Sequence, residues 1–400
     1  MRIEAYRRGD RLLMRPEEAA TDVSAVVAEI IADVAKNGDS ALLAYAERFD
    51  RAKLTTLEVT AQEMDVALAS ISPALRGAME TAAENIRAFH SAQVREGFCI
   101  CRPDGTYMGQ KITPIEKVGL YIPGGTASYP STVFMNAIPA KIAGCSEIVM
   151  VSPPSASGTI AALAYGTQTV PKVDKIVGPG NAFVAEAKRQ VFGRVNIDMI
   201  AGPSEILVVA DDSCNPKWAA ADLLSQAEHD RLASAVLVTD SAALAQAVSD
   251  EVERQLCALP RQEIARASIE RYGRILVTDD LADAIEAANE LAPEHLELCV
   301  REPERYLPLV RNAGSVFMGC CCPESLGDYL AGPNHTLPTS GTARFSSPLG
   351  VDDFIKKTQY TYFTRDALAQ VADEIAVFAR AEGLEAHARA ALIRMDEGEA

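Results

Sequence analysis

The sequence predicts an α/β fold of two lobes, each built on a parallel sheet with helices on both faces. Three observations carry that expectation. At 400 residues the chain is long enough to bury a large core and to divide into more than one lobe. From residue 117 onward, short apolar runs ending at Gly or Pro alternate with helical stretches, the pattern of strands joined by helical crossovers. A turn at Ala201-Gly-Pro203 then separates one series of such units from the next.

In chain order, residues 16–115 read as helical, with apolar residues three and four apart over 19–35 and 74–89. The strands follow: Lys117-Val-Gly-Leu-Tyr-Ile-Pro123, Glu147-Ile-Val-Met-Val151, Val173-Asp-Lys-Ile-Val177, Ile197-Asp-Met-Ile200, Glu205-Ile-Leu-Val-Val209, Ala235-Val-Leu-Val238 and Arg274-Ile-Leu-Val277. Helices are expected between them at 132–143, 182–191, 216–228, 242–256 and 281–291. This divides the chain into a first lobe (1–116 with 204–348), a second lobe (117–203) and a tail (349–400). The tail reads as helices around 366–383 and onward, with no third sheet.

Composition narrows the function. With 48% hydrophobic and 23% charged residues the chain has an ordinary globular balance. A net charge of -17 argues against a nucleic-acid or anionic-membrane partner, since both need clustered Lys and Arg. The N-terminus lacks the apolar run of a signal peptide and no stretch reaches membrane-spanning length, so a cytoplasmic setting is expected. The nine cysteines form no CxxC pair and read as reduced thiols. In the run Cys320-Cys321-Cys322, three consecutive side chains cannot converge on one tetrahedral ion, and it is given no role.

Five islands hold four of the five histidines: Gln226-Ala-Glu-His229, Pro293-Glu294-His295, Gly327-Asp328-Tyr329, Gly332-Pro-Asn-His335 and Glu382-Gly-Leu-Glu-Ala-His387. Carboxylate, amide oxygen and imidazole are the mixed donors of a catalytic zinc that keeps room for substrate. Asn215-Pro216 starts a helix, which places Gln226 and His229 on one face near its end, although His229 capping that helix is the plain alternative. Glu294 and His295, after a helix that Pro293 helps to end, suit two proton transfers at one substrate. Asp328 lies in a Gly- and Pro-rich loop and would bring negative charge to a divalent ion; His335, in the same loop, reads equally as a structural histidine and is left out of the site. Glu382 and His387, five apart in a helical tail, would pass alone for surface residues. Two glycine turns, Tyr121-Ile-Pro-Gly-Gly125 and Gly178-Pro-Gly-Asn181, each follow a strand and are suited to a phosphate or to a plain tight turn.

Together these residues resemble the histidinol dehydrogenase family. The resemblance rests on Val118-Gly-Leu-Tyr-Ile-Pro-Gly-Gly, Pro130-Ser-Thr-Val, Lys175-Ile-Val-Gly-Pro-Gly-Asn-Ala-Phe-Val, Ile200-Ala-Gly-Pro-Ser-Glu, Asp222-Leu-Leu-Ser-Gln-Ala-Glu-His-Asp, Ala292-Pro-Glu-His-Leu and Ala343-Arg-Phe-Ser-Ser-Pro-Leu, and it runs from about residue 12 to 395. It implies two Rossmann-like lobes and a homodimer that oxidises L-histidinol to L-histidine, the last steps of histidine biosynthesis. The two NAD-dependent steps would pass through L-histidinaldehyde, with one zinc per subunit. Carried over residue by residue, Gln226, His229, Asp328 and His387 would hold zinc, with His387 and Glu382 reaching in from the partner's tail. Glu294 and His295 would be the acid/base pair. Ser204, Gln226, His229, His295, Asp328, Glu382 and His387 would contact substrate, and Tyr121 and Asn181 would touch NAD.

One departure stands out. After Val151-Ser-Pro-Pro154 only Ser155-Ala-Ser-Gly-Thr159 precedes Ile160-Ala-Ala-Leu-Ala164, where the family has a further helix, strand and glutamine-bearing turn. Five residues cannot form a parallel crossover. The nucleotide lobe is therefore expected to be one strand–helix unit short, and either to re-close its sheet or to carry an exposed edge. Two other readings remain open at this point: a related zinc/NAD dehydrogenase of another small polar alcohol such as a sulfonated diol, and a non-catalytic zinc-bound paralogue that no longer holds NAD.

Overall fold

The computed structural model describes residues 1–9, 22–124, 130–152 and 156–395. It falls into two compact units, Met1–Gln93 with Ile115–Phe354, and Val94–Pro114 with Ile355–Ala400. Among the described residues the strands are, in chain order, β1 (Arg2–Ala5), β2 (Phe98–Cys101), β3 (Tyr107–Pro114), β4 (Lys117–Tyr121), β5 (Glu147–Val151), β6 (Lys175–Val177), β7 (Asn196–Ile197), β8 (Glu205–Ala210), β9 (Ser234–Thr239), β10 (Arg274–Val277), β11 (His295–Cys299), β12 (Ser315–Met318) and β13 (Ile355–Tyr362).

The first unit holds a six-stranded sheet in the order β1-β10-β9-β8-β11-β12, parallel at every pairing. β8 and β9 are buried along their whole length, as the unbroken apolar runs of a parallel sheet covered on both faces require. Alternate residues of β8 enter different cores: Ile206 and Val208 pack on one side, Leu207 and Val209 on the other. The covering helices are capped as their sequences specify. The side chain of Asn215 caps Pro216–Ala227, that of Ser241 caps Ala242–Leu256, and that of Asp280 caps Leu281–Leu291. β11 is the exception to an all-apolar strand. Leu296 and Leu298 fill the core on one face, which sends His295, Glu297 and Cys299 to the other.

The same unit contains a four-stranded parallel sheet, β5-β4-β6-β7. Helix Ala156–Tyr165 follows β5 closely, and nearly all of it is buried in a core shared with helix Ser24–Asn37. Among the described residues β5 stays at the edge of the sheet, with Met150 56% exposed. Beyond β6 the chain turns at Gly178, whose φ of +126° and closeness to the carbonyl of Tyr121 leave no room for a Cβ. The buried ammonium of Lys188 donates to the Gly178 carbonyl (2.7 Å) and pairs with the carboxylate of Asp198, which locks this turn.

The second unit contains a three-stranded antiparallel sheet, β13-β3-β2, and helices Arg365–Ala369, Ala372–Ala381 and Glu385–Leu392. It overturns two expectations: residues 16–115 are not helical throughout, and the tail does contribute to a third sheet. β2 is exposed at every residue and β13 at all but one, so neither carries an inward apolar stripe from which periodicity could be read. The expected helix at 19–35 is found over Ser24–Asn37, and 16–21 lie outside the described residues, as do Gly125 and the junction at 153–155. Among the described residues no helix is long and apolar enough to cross a membrane.

Candidate active site

The polar face of β11 and the helices beside it form the site. Helix Leu281–Leu291 ends at Ala292, whose left-handed φ of 48° turns the chain so that Pro293 and Glu294 lead straight into β11. His295 is therefore the first residue of a strand, and Glu294 immediately precedes it. Both are buried, at 7% and 4% exposure. One neighbouring strand fixes both side chains: the backbone N–H of Glu205 donates to Glu294 Oε2 (2.9 Å), and the Glu205 carbonyl lies 3.0 Å from His295 Nδ1. A carbonyl can only accept, so Nδ1 carries the proton and Nε2 keeps its lone pair.

That Nε2 is buried, has no hydrogen-bond partner among the described residues, and lies 3.9 Å from Asp328 Oδ1. Burial holds the His295 imidazole below the usual histidine range, keeping it neutral. Burial likewise raises Glu294 well above the usual carboxylate range, reinforced by the charges of Glu205, Asp328 and Glu324 and opposed by the Glu205 N–H.

Asp328 belongs to a short helix, Glu324–Tyr329, where a loop was expected. The helix places Glu324 four residues before Asp328 on the same face. Donor atoms of His295, Glu324 and Asp328 all lie within 4.8 Å of one another. Glu324 is fixed from two sides: its carboxylate accepts from Ser225 Oγ (2.9 Å), and its N–H donates to Glu297 Oε1 (2.7 Å). Burial pushes Asp328 up to about 8, with the charge of Glu324 and a hydrogen bond to it adding to the effect. Sequence reasoning missed Glu324 as a site residue. The readable signal was the Glu324/Asp328 spacing, since like charges four apart on a helix repel unless something positive joins them.

Gln226 and His229 stand at and just beyond the end of helix Pro216–Ala227. The Oε1 of Gln226 is a buried acceptor with no partner. His229 is close enough that its charge depresses both His295 and His335. His335, left out of the expected site, lies beside it: Nδ1 is 3.2 Å from the Asp328 carbonyl and Nε2 is 3.4 Å from Thr132 Oγ1. Burial lowers it to about 4. Ser204 precedes Glu205, and its carbonyl accepts from the Ser234 N–H (3.0 Å).

These residues fit a divalent cation. An acceptor buried without a donor (Gln226 Oε1) and an Asp328 carboxyl raised by its burial and by the neighbouring charge of Glu324 each call for positive charge. The first unit brings the carboxyls of Asp328 and Glu324 within 4.8 Å of each other and of the His295 ring nitrogen. Glu382 and His387 lie in the second unit, at the end of helix Ala372–Ala381 and within Glu385–Leu392, and both are exposed.

The two residues expected to touch NAD sit at or soon after the ends of strands β4 and β6. Tyr121 closes β4 with its ring buried in a core, and burial raises its phenol to about 12. Asn181 caps helix Ala182–Val191, its Oδ1 accepting from the N–H groups of Phe183 (3.0 Å) and Val184 (3.2 Å). This leaves its amide N–H groups for a ligand.

The chain matches the family model of histidinol dehydrogenase over residues 13–160 and 156–395. It is 51% identical to a histidinol dehydrogenase of Geobacillus kaustophilus, covering 100% of both chains over 424 aligned positions. With 400 residues here, that alignment must contain gaps in this chain. It is 50% identical to a histidinol dehydrogenase of Lactiplantibacillus plantarum, covering 96% of each. The crystal structure of histidinol dehydrogenase from Elizabethkingia anophelis superposes with a TM-score of 0.94 at 38% identity, covering 99% of this chain and 98% of that one. A match of this length and identity, on the same fold, means that the chain belongs to the histidinol dehydrogenase family.

Proposed function

We propose that this protein oxidises L-histidinol to L-histidine through L-histidinaldehyde, using zinc and two NAD in a cytoplasmic homodimer, as the last steps of histidine biosynthesis. The observation that carries the reading is the placing of His295 and Glu294, each held by the backbone of Glu205, with His295 beside the carboxyls of Asp328 and Glu324.

In the first step the primary alcohol loses its hydroxyl proton and a carbon-bound hydride, giving the aldehyde. His295 takes the proton: Nδ1–H on the Glu205 carbonyl leaves Nε2 as the base, and burial keeps it neutral and ready. In the second step water adds to the aldehyde, and the hydrate gives up a second hydride to become the acid. Glu294 takes the proton from that water; a carboxylate raised by burial is a stronger base than one in solvent. NAD supplies the hydride acceptor in both steps. Zinc, held by Gln226, His229 and Asp328 with His387 of a second subunit, would orient the substrate and supply electrostatic stabilisation.

The charge of the pocket supports this substrate over a sulfonated diol. Glu294, Glu324 and Asp328 crowd one buried place, which suits the amine of histidinol and repels a fixed anion. Ser204, and Glu382 from the other subunit, would complete the substrate contacts. The dimer is supported by exposed apolar residues in the second unit, including Phe98, Ile100, Val377 and Phe378. The nine unpaired thiols suit a reducing compartment.

On the nucleotide side, Tyr121, the Gly178 turn and Asn181 at a helix N-terminus would hold NAD in a lobe shortened to four strands. Two measurements on zinc-loaded protein test the proposal: titration calorimetry with NAD, and NADH formation from L-histidinol. Micromolar NAD binding with turnover is the expected result. Zinc-loaded, folded protein that binds NAD but leaves L-histidinol unoxidised would overturn the substrate. Protein that binds no NAD would instead support the non-catalytic paralogue.

A further inference from the structure

The polar face of β11 ends in a second cluster of metal donors. His295, Glu297 and Cys299 alternate along that face, so at about 3.3 Å per residue Cys299 lies roughly 13 Å along the strand from His295. Two cysteines from distant parts of the chain meet it. Cys214 comes from the turn that follows β8 and leads into helix Pro216–Ala227, and Cys320 from the turn that follows β12. β8 and β12 are the two strands that flank β11. The three sulfurs therefore gather at the C-terminal ends of three adjacent parallel strands, whereas Glu294 and His295 occupy the opposite end of β11.

The Sγ atoms of Cys214, Cys299 and Cys320 all lie within 4.8 Å of one another. Thiolates that share a tetrahedral ion at about 2.3 Å are about 3.8 Å apart, so the observed cluster is within an ångström of ligation distance. Cys214 and Cys299 are each 4% exposed. Cys320 is only partly buried, which gives an ion a way in. The run of three cysteines thus resolves into one inward thiol, Cys320, followed by exposed Cys321 and half-buried Cys322.

We propose that Cys214, Cys299 and Cys320 form a trithiolate site for a soft, closed-shell cation such as Cd²⁺ or Cu⁺, separate from the active site. Binding replaces three S–H bonds with three S–metal bonds and releases three protons to solvent, so no oxidant or reductant is needed. Donor softness separates the two sites. The active site offers nitrogen and oxygen and the cluster offers sulfur, so a soft ion prefers the cluster.

Cadmium is the probe, since thiolate ligation gives an ultraviolet sulfur-to-metal charge-transfer band and nitrogen or oxygen ligation does not. The titration uses zinc-loaded protein carrying Cys99→Ser and Cys101→Ser, because those exposed sulfurs lie 3.8 Å apart and could themselves bind the ion. One equivalent of Cd²⁺ should saturate the band, and adding Cys320→Ser should abolish it without changing turnover of L-histidinol. Cys321→Ser should leave the band intact. In the unsubstituted protein Cd²⁺ should protect Cys320 from alkylation while Cys321 still reacts, a readout that requires no substitution at the cluster. The site is refuted by absence of the band in the starting variant, by a band that survives Cys320→Ser, by loss of the band with Cys321→Ser, or by undiminished alkylation of Cys320.

Discussion

A single backbone carbonyl sets the chemistry of His295. Because Glu205 accepts from Nδ1, the other nitrogen is obliged to be the base, and burial keeps it unprotonated. The variant His295→Ala should slow the first oxidation by about 10²- to 10⁴-fold, as removal of a general base does. Steady-state kinetics with metal analysis checks this: retained zinc with lost rate is expected, and retained rate would remove the base. Glu324→Gln should weaken zinc binding by about 10- to 100-fold, whether Glu324 ligates the ion or orients its ligands. The same change should raise the melting temperature of chelated protein, because Asp328 loses a like charge beside it. A pH dependence also follows. In chelated protein Asp328 is raised from 3.8 to about 8, so its stabilising proton is fully present below the unfolded value and is lost as pH rises through about 8. Bound zinc replaces that proton, so the melting-temperature gap between loaded and chelated protein should widen with rising pH over this window. Gln226, His229, Glu294, His295 and Asp328 were legible as residue types suited to one site. Glu324 was not recognised, because its spacing from Asp328 carries meaning only on a helix and that segment read as a loop.

At the scale of elements, apolar patterning and capping decided most of the fold. The helices at 182–191, 242–256 and 281–291 and the strands at 147–151 and 274–277 lie where side-chain periodicity and flanking Gly or Pro put them. β11 escaped that reading because its polar face carries the site: His295, Glu297 and Cys299 interrupt what would otherwise be an apolar run. β2, β3 and β13 escaped for the opposite reason, having no buried stripe over much of their length. The turn after β6 depends on a buried ion pair, with the side chains of Lys188 and Asp198 at 2% and 1% exposure. Asp198→Ala would leave the buried Lys188 charged with only backbone carbonyls for partners. A loss of about 3–5 kcal/mol is expected, read as a lower urea midpoint at unchanged m-value. A loss under about 1 kcal/mol would mean that the ammonium finds another partner or gives up its proton.

At the scale of the molecule, the proposed sharing of active sites between subunits makes its own prediction. His295→Ala and His387→Ala should each be inactive, yet mixing and re-pairing them should restore activity. A mixed dimer then has one site with His295 from one chain and His387 from the other. If each variant stays inactive in the mixture although mixed dimers form, the tail serves its own chain or none. The sequence by itself determined the alternation of strands and helices, the family to which the chain belongs and the residue types of its chemistry, because these are written in local pattern and in short motifs. Only the tertiary structure decided that Glu324 stands between Asp328 and Glu297, that Gln226 Oε1 and His295 Nε2 are buried without partners, and that three separated cysteines meet at one end of β11. The reason is physical: these are relations between strands and helices up to a hundred or so residues apart, fixed by sheet order and register, to which no local stretch of sequence has access.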